Sequence, residues 1–426
     1  MASVAASRPA RGAAIAALRH RNFAIFWTGA LVSNIGTWIQ TVTVPYVLYK
    51  TTGSAAWVGL AGFCQFIPGV IMGPWSGAIA DRFNRRRVLI TTQTALSFCA
   101  LGLWAMWQAG VRSPGALVAV VFATGVISAL NIPSWQAFVT ELVPKEDLLN
   151  AVTLNSAQFN AARAIGPALG GLVLATLGPS WAFLLNAVSY IAVIGALWLV
   201  RVPVRRVVRT GQRVLPDFVD ACRYVRNHRG ILICIALVFA VAFLANPMLQ
   251  LAAVFADGVF GAGAAGLGLL TAAFGTGAVI ATPFVTSFND RFGSARLVAV
   301  SITWLAASVI AFGLSTELWQ GAIAMFATGM AYLVLIATLN TTVQLSVVEE
   351  MRGRVLAVYF MTFTAGYPLG SLLQGWLAEV ISPRVTVATS GCVLLAISGA
   401  LWFRPSTLHA MDGHRRAQLA LEPAMP

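Results

Sequence analysis

Twelve long apolar runs, separated by short polar or Gly/Pro-rich breaks, make up most of this chain of 426 residues. A helix needs about 20 predominantly apolar residues to cross the hydrocarbon core of a bilayer. The runs predict spans at 23–49, 56–80, 88–109, 115–140, 149–177, 181–200, 231–255, 263–287, 297–315, 319–345, 355–381 and 385–403. Hydrophobic residues form 58% of the chain and charged residues 10%, which excludes a soluble globular protein of this length. We therefore predict an all-α membrane protein with twelve transmembrane helices.

The basic residues are distributed unevenly between the predicted loops. With the N-terminus placed in the cytoplasm, 24 of the 28 Lys and Arg residues lie on the cytoplasmic side, Lys50, Arg112 and Arg384 lie on the other, and Arg163 lies inside the fifth predicted span. This asymmetry follows the positive-inside rule. It predicts a multi-pass protein of the bacterial inner membrane with both termini in the cytoplasm. It also explains the net charge of +14 without a nucleic-acid partner.

The two halves of the chain repeat each other. The sequence Asp81-Arg82-Phe83 recurs 209 positions later as Asp290-Arg291-Phe292, and Asn131 matches Asn340 at the same offset. A parallel repeat of six spans predicts two bundles related by a pseudo-twofold axis along the membrane normal, with a cavity where they meet. The predicted domains are a cytoplasmic tail (1–22), a first bundle (23–200), a basic cytoplasmic linker (201–230), a second bundle (231–403) and a cytoplasmic tail (404–426).

Two motifs resemble those of the major facilitator superfamily. Gly77–Arg86 is similar to that family's signature in the loop after the second span, with Asn84 where glycine is usual and Ile79 where leucine is usual. Gly166–Gly171 is similar to the motif of exporters of the drug and proton antiporter type. The segment Ser33–Trp38 resembles the subgroup of siderophore and macrolide exporters. The resemblance covers essentially the whole chain and implies alternating access, efflux and proton antiport.

Each motif allows a functional and a structural interpretation. The residues predicted to form gates are Gly77, Asp81, Arg82, Arg85, Arg86, Asp290 and Arg291. Asp81 either accepts hydrogen bonds that hold the cytoplasmic end of the cavity closed or only caps a tight loop. The exporter motif contributes Gly166, Pro167, Gly170 and Gly171. Its glycines and proline predict a bend and close helix packing in the fifth span. The functional interpretation is that this bend resists leakage, as in exporters of this type. The structural interpretation is that it is only a kink.

Arg163 lies near the middle of the fifth span. A guanidinium at this depth costs roughly 2.5–3.5 kcal/mol on insertion scales, so such a residue usually has a binding or pairing role. The spacing places Asn155 and Phe159 on the same helix face. Two interpretations remain open at this point: a cation for an anionic substrate, or a structural clamp onto carbonyls and amides of a neighbouring helix.

The family fold implies that spans one, four, seven and ten line the transport path. Their polar and aromatic stripes, together with Arg163, give the predicted cavity residues Asn34, Thr37, Trp38, Thr41, Asn131, Trp135, Arg163, Asn246, Gln250, Tyr332, Asn340 and Gln344. Amides and aromatics without acids suit a bulky amphipathic or anionic molecule better than a multivalent cation.

Acidic and histidine side chains lie at loops, tails or span ends and not inside the predicted membrane core. Proton-coupled transport usually relies on a buried carboxylate or histidine. Related exporters often carry an aspartate near the position of Thr37, so protons remain the expected coupling ion only by resemblance, with Asp81 and Glu141 as candidates at the rim. The motifs predict no catalytic residue, no cofactor and no metal site.

These observations predict a secondary active exporter of a small amphipathic organic compound, such as a siderophore, an antibiotic or another metabolite. The expected partners are that small molecule, the lipid bilayer and protons as coupling ion, and a monomer is expected. Two alternatives remain: a lysophospholipid flippase on the same fold, and a non-transporting membrane sensor or assembly protein.

Overall fold

The computed structural model of the protein describes residues 13–201 and 214–404, and helices account for nearly all of them, with no strand in these two ranges. Most of both predicted tails and residues 202–213 of the predicted linker lie outside the described residues. Six long helices precede the linker: α1 (Arg21–Thr52), α2 (Ala55–Arg82), α3 (Arg85–Gln108), α4 (Pro114–Val139), α5 (Leu148–Thr176) and α6 (Pro179–Leu199).

The described residues from 214 to 404 form nine α-helices. They are α7 (Val214–Asn227), α8 (Arg229–Leu244), α9 (Met248–Val254), α10 (Gly263–Ala281), α11 (Phe284–Phe292), α12 (Ser294–Leu314), α13 (Leu318–Ser346), α14 (Glu349–Val380) and α15 (Pro383–Phe403). A π-helical turn, Phe255–Val259, continues α9. Short 3-10 helices at Ala13–Arg19 and Lys145–Asp147 precede α1 and α5.

Ten helical segments of the described chain are long and apolar enough to cross a membrane. Helices α1 and α5 are too polar for that criterion, but they contain 32 and 29 residues and pack along α6 and α10. At about 1.5 Å per residue, both are longer than the hydrocarbon core is thick. Together these segments give the twelve spans, in two sets of six, that the sequence predicts.

Two predicted spans are interrupted. The seventh, predicted as continuous over 231–255, breaks after Leu244 and resumes as α9 behind Pro247. The eighth, predicted over 263–287, breaks at Thr282 and Pro283 before α11. Proline lacks the N–H of a helical hydrogen bond and its ring crowds the preceding turn. Other prolines, at Pro45, Pro133, Pro167 and Pro368, lie inside continuous helices, so proline alone does not locate the breaks.

Helices α1–α6, termed the first half, pack mainly on one another, and α8–α15, termed the second half, do the same. The halves meet mainly along α2 with α14 and along α5 with α10.

The end of the molecule with the α2–α3 and α4–α5 connections is called the basic end, because Arg85–Arg87 lie there. The end with the α1–α2 and α9–α10 connections is called the opposite end.

Helices α2 and α14 diverge from the opposite end toward the basic end. Near the opposite end, Gly59 packs against Gly375, where a side chain would collide with the α14 backbone. Midway, the rings of Phe66 and Tyr367 meet edge to face with centroids 4.7 Å apart. Nearer the basic end, no other described residue lies within 4 Å of a Cβ built at Gly69 or Gly73.

Helices α5 and α10 diverge in the same direction. Gly171 packs against Gly268 near the opposite end, and Ala164 packs against Gly275 near the middle. One turn farther toward the basic end, Asn160 on α5 and Val279 on α10 are both exposed. The two halves therefore form a wedge that is closed at the opposite end and open at the basic end.

Candidate functional site

Arg163 lies on α5 at the apex of the wedge, one residue before the contact of Ala164 with Gly275. Its side chain is half-buried. The guanidinium Cζ is 5.7 Å from the ring centroid of Trp38 in the first half and 5.8 Å from that of Tyr332 in the second half. Both distances are within the range of cation–π attraction. Arg163 is thus the point where side chains from both halves converge on one charge.

Aromatic rings surround this cation on the first-half side. Phe159, one turn before Arg163 on α5, meets Trp38 edge to face with centroids 6.0 Å apart. Phe159 remains 47% exposed, so its ring is available to a molecule in the wedge. Trp38 is placed closely against α5 because Gly166 leaves room for it. The shared face of Phe159 and Arg163 is the one that helical spacing predicts.

Tyrosines dominate the second-half side. Tyr332 is only 5% exposed, and its hydroxyl has no hydrogen-bond partner among the described residues. The hydroxyl of Tyr359 is also buried without a described partner. Tyr367 forms a side-chain hydrogen bond with Gln250 and lies within electrostatic range of Arg163 and Tyr332. The apex therefore combines one cation with several phenol hydroxyls and, in the described chain, no carboxylate hydrogen-bonded to Arg163.

A polar stripe on α5 leads from the basic end to Arg163. Thr153, Ser156 and Asn160 precede Arg163 at intervals of three and four residues, which places all four on one helix face. The three side chains are exposed. Asn160 Nδ2 donates to the carbonyl oxygen of Ser156 at 2.9 Å, which leaves its amide oxygen open to the wedge. This stripe gives a polar molecule a path to the apex.

Polar contacts between the halves close the opposite end. Lys50 Nζ is 3.0 Å from Asp257 Oδ1. The Ala55 backbone N–H, at the start of α2, donates to Glu379 Oε2 at 2.7 Å. The ring of Tyr49 packs directly on Gly258. Each contact joins the first half to the second, so the closed end is held by an ion pair, a carboxylate at a helix N-terminus and an aromatic seal.

Comparison with known proteins identifies the family. Residues 12–423 match the family described as transmembrane secretion effector. The chain belongs to this family, a branch of the major facilitator superfamily. It is 24% identical to the staphyloferrin A transporter of Staphylococcus aureus, over 89% of this chain and 95% of that protein. It is 22% identical to macrolide efflux protein A of Streptococcus pyogenes, over 88% and 94%. It is 26% identical to the enterobactin exporter EntS of Escherichia coli, over 89% and 90%.

Solved structures share the fold. A bacterial homolog of the human lysosomal transporter Spinster superposes with a TM-score of 0.74 at 16% identity, covering 93% of this chain and 98% of that one. The D-xylose–proton symporter superposes with a TM-score of 0.69 at 16% identity, covering 89% and 96%. These likenesses establish the major facilitator fold, and the family and its structural neighbours are transporters.

Within this fold, some predicted cavity residues meet and others do not. Trp38, Arg163 and Tyr332 converge at the apex, and Gln250 packs near Gly62 where α2 passes α9. Asn34 is half-buried in α1 and Asn246 is buried at the α8–α9 break. Asn340 and Gln344 hydrogen-bond to each other in the last turns of α13, toward the basic end.

Four predicted cavity residues are engaged inside the first half. Asn131 Nδ2 donates to Thr92 Oγ1 at 2.7 Å, and Trp135 Nε1 donates to Asn155 Oδ1 at 3.1 Å. The Thr37 hydroxyl bonds the Ser33 carbonyl and lies 3.3 Å from the Tyr190 hydroxyl, and the Thr41 hydroxyl bonds the Thr37 carbonyl. These groups pack helices together in this state of the transporter.

The structure describes part of the predicted gating motif. Arg85 Nη1 donates to Glu141 Oε1 at 2.7 Å, which ties the start of α3 to the α4–α5 connection. Arg86 donates to the carbonyls of Leu197 and Trp198 at the end of α6. In the repeat, Arg291 is exposed beside the ring of Phe292. Gly77, Asp81 and Arg82 lie in α2 and Asp290 in α11, but their side chains lie outside what the structure describes.

The exporter motif acts on two neighbours at once. Gly166 and Gly170 face α1, where side chains at these positions would collide with Trp38 and Val42. Gly171 faces the other half and touches Gly268 of α10. Pro167 lies buried inside the continuous helix α5. The motif thus holds α5 against its own bundle while allowing a close contact between the halves.

Sequence reasoning did not single out Thr153, Ser156 and Asn160, although their three-and-four spacing ends at Arg163. It also missed Lys50, Asp257 and Glu379 as contacts between the halves, because these residues are far apart in sequence. No group of three or more His, Cys, Asp or Glu side chains in the described ranges is arranged to hold a metal ion.

Proposed function

We propose that this protein is a secondary active exporter of a small amphipathic organic compound in the bacterial inner membrane, with both termini in the cytoplasm. The observation that carries the proposal is the wedge. Its open basic end leads along the α5 stripe to Arg163, and its opposite end is sealed behind Arg163. The positive-inside rule makes the open end cytoplasmic, so the site faces the compartment from which an exporter takes its substrate.

Transport would proceed by alternating access of the two bundles, 23–200 and 231–403. The contacts of Phe66 with Tyr367 and of Ala164 with Gly275 lie midway along the interfaces, where a rocking motion displaces the helices least. Opening outward requires separation of Lys50 from Asp257 and of Ala55 from Glu379. It also requires the α2 face with Gly69 and Gly73, and the exposed stripe of α5, to pack against the second half at the basic end.

The relatives support the direction and the kind of cargo. Their names describe a staphyloferrin A transporter, a macrolide efflux protein and an enterobactin exporter. The first and third describe transport of siderophores and the second describes efflux of an antibiotic. All three align over nearly the whole chain. We propose outward transport of a siderophore, an antibiotic or a related metabolite.

We propose proton antiport as the coupling mechanism, with carboxylates at the rims as the proton-sensitive groups. Glu141 bonds Arg85 within the first half. Asp257 and Glu379 bond across the halves, so protonation of either weakens a contact that exists only while the opposite end is closed. This adds two candidates to Asp81 and Glu141.

The test is an accumulation screen in cells with and without the protein. The panel contains siderophores, macrolides, amphipathic dyes and labelled lysophospholipid. The proposal predicts lower accumulation of at least one small organic compound, and loss of that effect when the proton gradient is collapsed. A Gly59→Val variant at matched expression is the inactive control, because its opposite end cannot close. Movement of lysophospholipid alone would indicate a flippase, and no change for any compound would overturn the proposal.

A further inference from the structure

Arg163 is an unneutralised cation at a place where a charge is costly. Its recorded neighbours are the rings of Trp38 and Tyr332 and the phenol of Tyr367. Among the described residues, none accepts a hydrogen bond from its guanidinium or forms an ion pair with it. A structural clamp would show bonds to carbonyls or amides of a neighbouring helix. Their absence here leaves the planar fork of N–H donors available to a ligand.

The second-half side adds hydroxyl donors to this cation. The Tyr332 hydroxyl is buried and has no described partner, although a buried hydroxyl left unpaired is destabilising. Its ring centroid is 5.8 Å from Arg163 Cζ. Tyr367 is within electrostatic range of both residues. An anion placed against Arg163 would neutralise the cation and could accept a hydrogen bond from a phenol of the other half.

The remaining surroundings define the rest of the ligand. Trp38 and Phe159 provide aromatic surface next to Arg163, and Phe66 and Tyr367 form a second aromatic pair where α2 meets α14. The α5 stripe offers uncharged polar groups and no acid. A cationic ligand would be repelled by Arg163, and a neutral ligand would leave it uncompensated in a low-dielectric site.

Resting on the proposed transport function, we infer that the apex is a binding site for organic anions, namely a carboxylate or phenolate carried on an apolar or aromatic body. Arg163 binds the anionic group, the Tyr332 hydroxyl donates to it from the second half, and Trp38 with Phe159 contacts the apolar body. Because Arg163 and Tyr332 belong to different halves, a bound anion connects the two bundles at the point about which they move.

The test uses three probes with one aromatic body and different head groups: 2-naphthoate, 2-naphthamide and 2-naphthylmethylammonium. Binding to the full-length protein in nanodiscs is measured by equilibrium dialysis, with the shift in melting temperature as a second readout. The inference predicts that naphthoate binds at least about tenfold more tightly than the other two. Equal binding of the three probes, or tighter binding of the ammonium, would overturn it, as would no measurable naphthoate binding at millimolar concentration.

Variants assign the preference to the site. Arg163→Gln should remove the preference for naphthoate, and Arg163→Lys should keep most of it. Tyr332→Phe should weaken the binding of naphthoate several-fold and leave the binding of naphthamide unchanged. Arg226→Gln, which removes an exposed arginine of α7, is the matched control and should bind like the natural protein. An undiminished preference in Arg163→Gln would refute the site. Cysteine accessibility at the two ends reports alternating access without any ligand, so failure of the anion site and failure of the transport proposal give different results.

Discussion

Lys50 at the end of α1 and Asp257 in the π-helical turn after α9 join the two halves at their closed end, with 3.0 Å between Nζ and Oδ1. Lys50 is largely exposed and Asp257 is mostly covered, so the pair is easily separated and easily formed again. Such a contact can bias a conformational equilibrium without locking it. The predictions below follow from this arrangement and from the shape of the wedge.

Removing the charge of Asp257 should favour the outward-open state. In Asp257→Asn, the reactivity of a cysteine placed in the opposite-end cleft toward a membrane-impermeant thiol reagent should rise, by up to about fivefold. The exchanged pair Lys50→Asp with Asp257→Lys should return the reactivity toward that of the natural protein. If the exchanged pair behaves like the single variant, the ion pair does not set the equilibrium.

Two substitutions on one face of α2 should have opposite effects. Gly59→Val places a side chain against Ser371 and Gly375, so it should prevent closure of the opposite end and reduce transport more than tenfold. Gly69→Val meets no described neighbour in this state, so it should leave the melting temperature nearly unchanged.

Gly69→Val should nevertheless slow transport, because that face must approach the second half when the basic end closes. Accessibility labelling should then show Gly59→Val open outward and Gly69→Val open toward the basic end. The same shift in both variants would contradict the rocking motion.

Breaking the partly buried pair of Arg85 and Glu141 should destabilise the first half. Hydrogen bonds to charged groups contribute about 1.5–3 kcal/mol, so Glu141→Gln should lower the melting temperature by a few degrees. The double variant Arg85→Gln with Glu141→Gln should show a smaller drop in melting temperature than the sum of the drops in the two single variants. Thermal denaturation in nanodiscs measures this coupling, and strictly additive losses would show that the pair contributes nothing.

The α5 stripe should be accessible from the basic end. After replacement of the five native cysteines, Asn160→Cys should react quickly with an impermeant thiol reagent in inside-out vesicles and slowly in right-side-out vesicles. Ser97→Cys, at a half-exposed serine that is bonded to Ala187 inside the first half, is the control and should react slowly in both. Fast reaction of Asn160→Cys only in right-side-out vesicles would reverse the proposed orientation.

The sequence predicted the helical architecture well because the need for apolar runs constrains every span. Arg163 could also be found, since a guanidinium in an apolar run is conspicuous. Asn131 and Trp135 show the limit of such reasoning: their spacing puts them on a polar stripe, but only the structure shows that their side chains bond Thr92 of α3 and Asn155 of α5. Periodicity gives the face of a helix and not the neighbour that covers it.

The closed end could not be predicted for a different reason. Lys50 and Asp257 are separated by 207 positions, and Ala55 and Glu379 by 324. Each lies near a helix end, where a charge usually faces water. Their pairing depends on how the two halves are tilted, which is a property of the conformational state and not of any local segment.

A reversible cross-link at the closed end tests alternating access most directly. Lys50→Cys and Asp257→Cys are introduced into the cysteine-free protein and joined by a reducible bifunctional thiol reagent, and efflux is measured before and after reduction. We predict that efflux stops when the link is present and returns when it is reduced, while either single variant treated alike keeps the efflux that it had before treatment. Continued efflux through the linked protein would contradict the account, because the opposite end would not need to open for the substrate to leave.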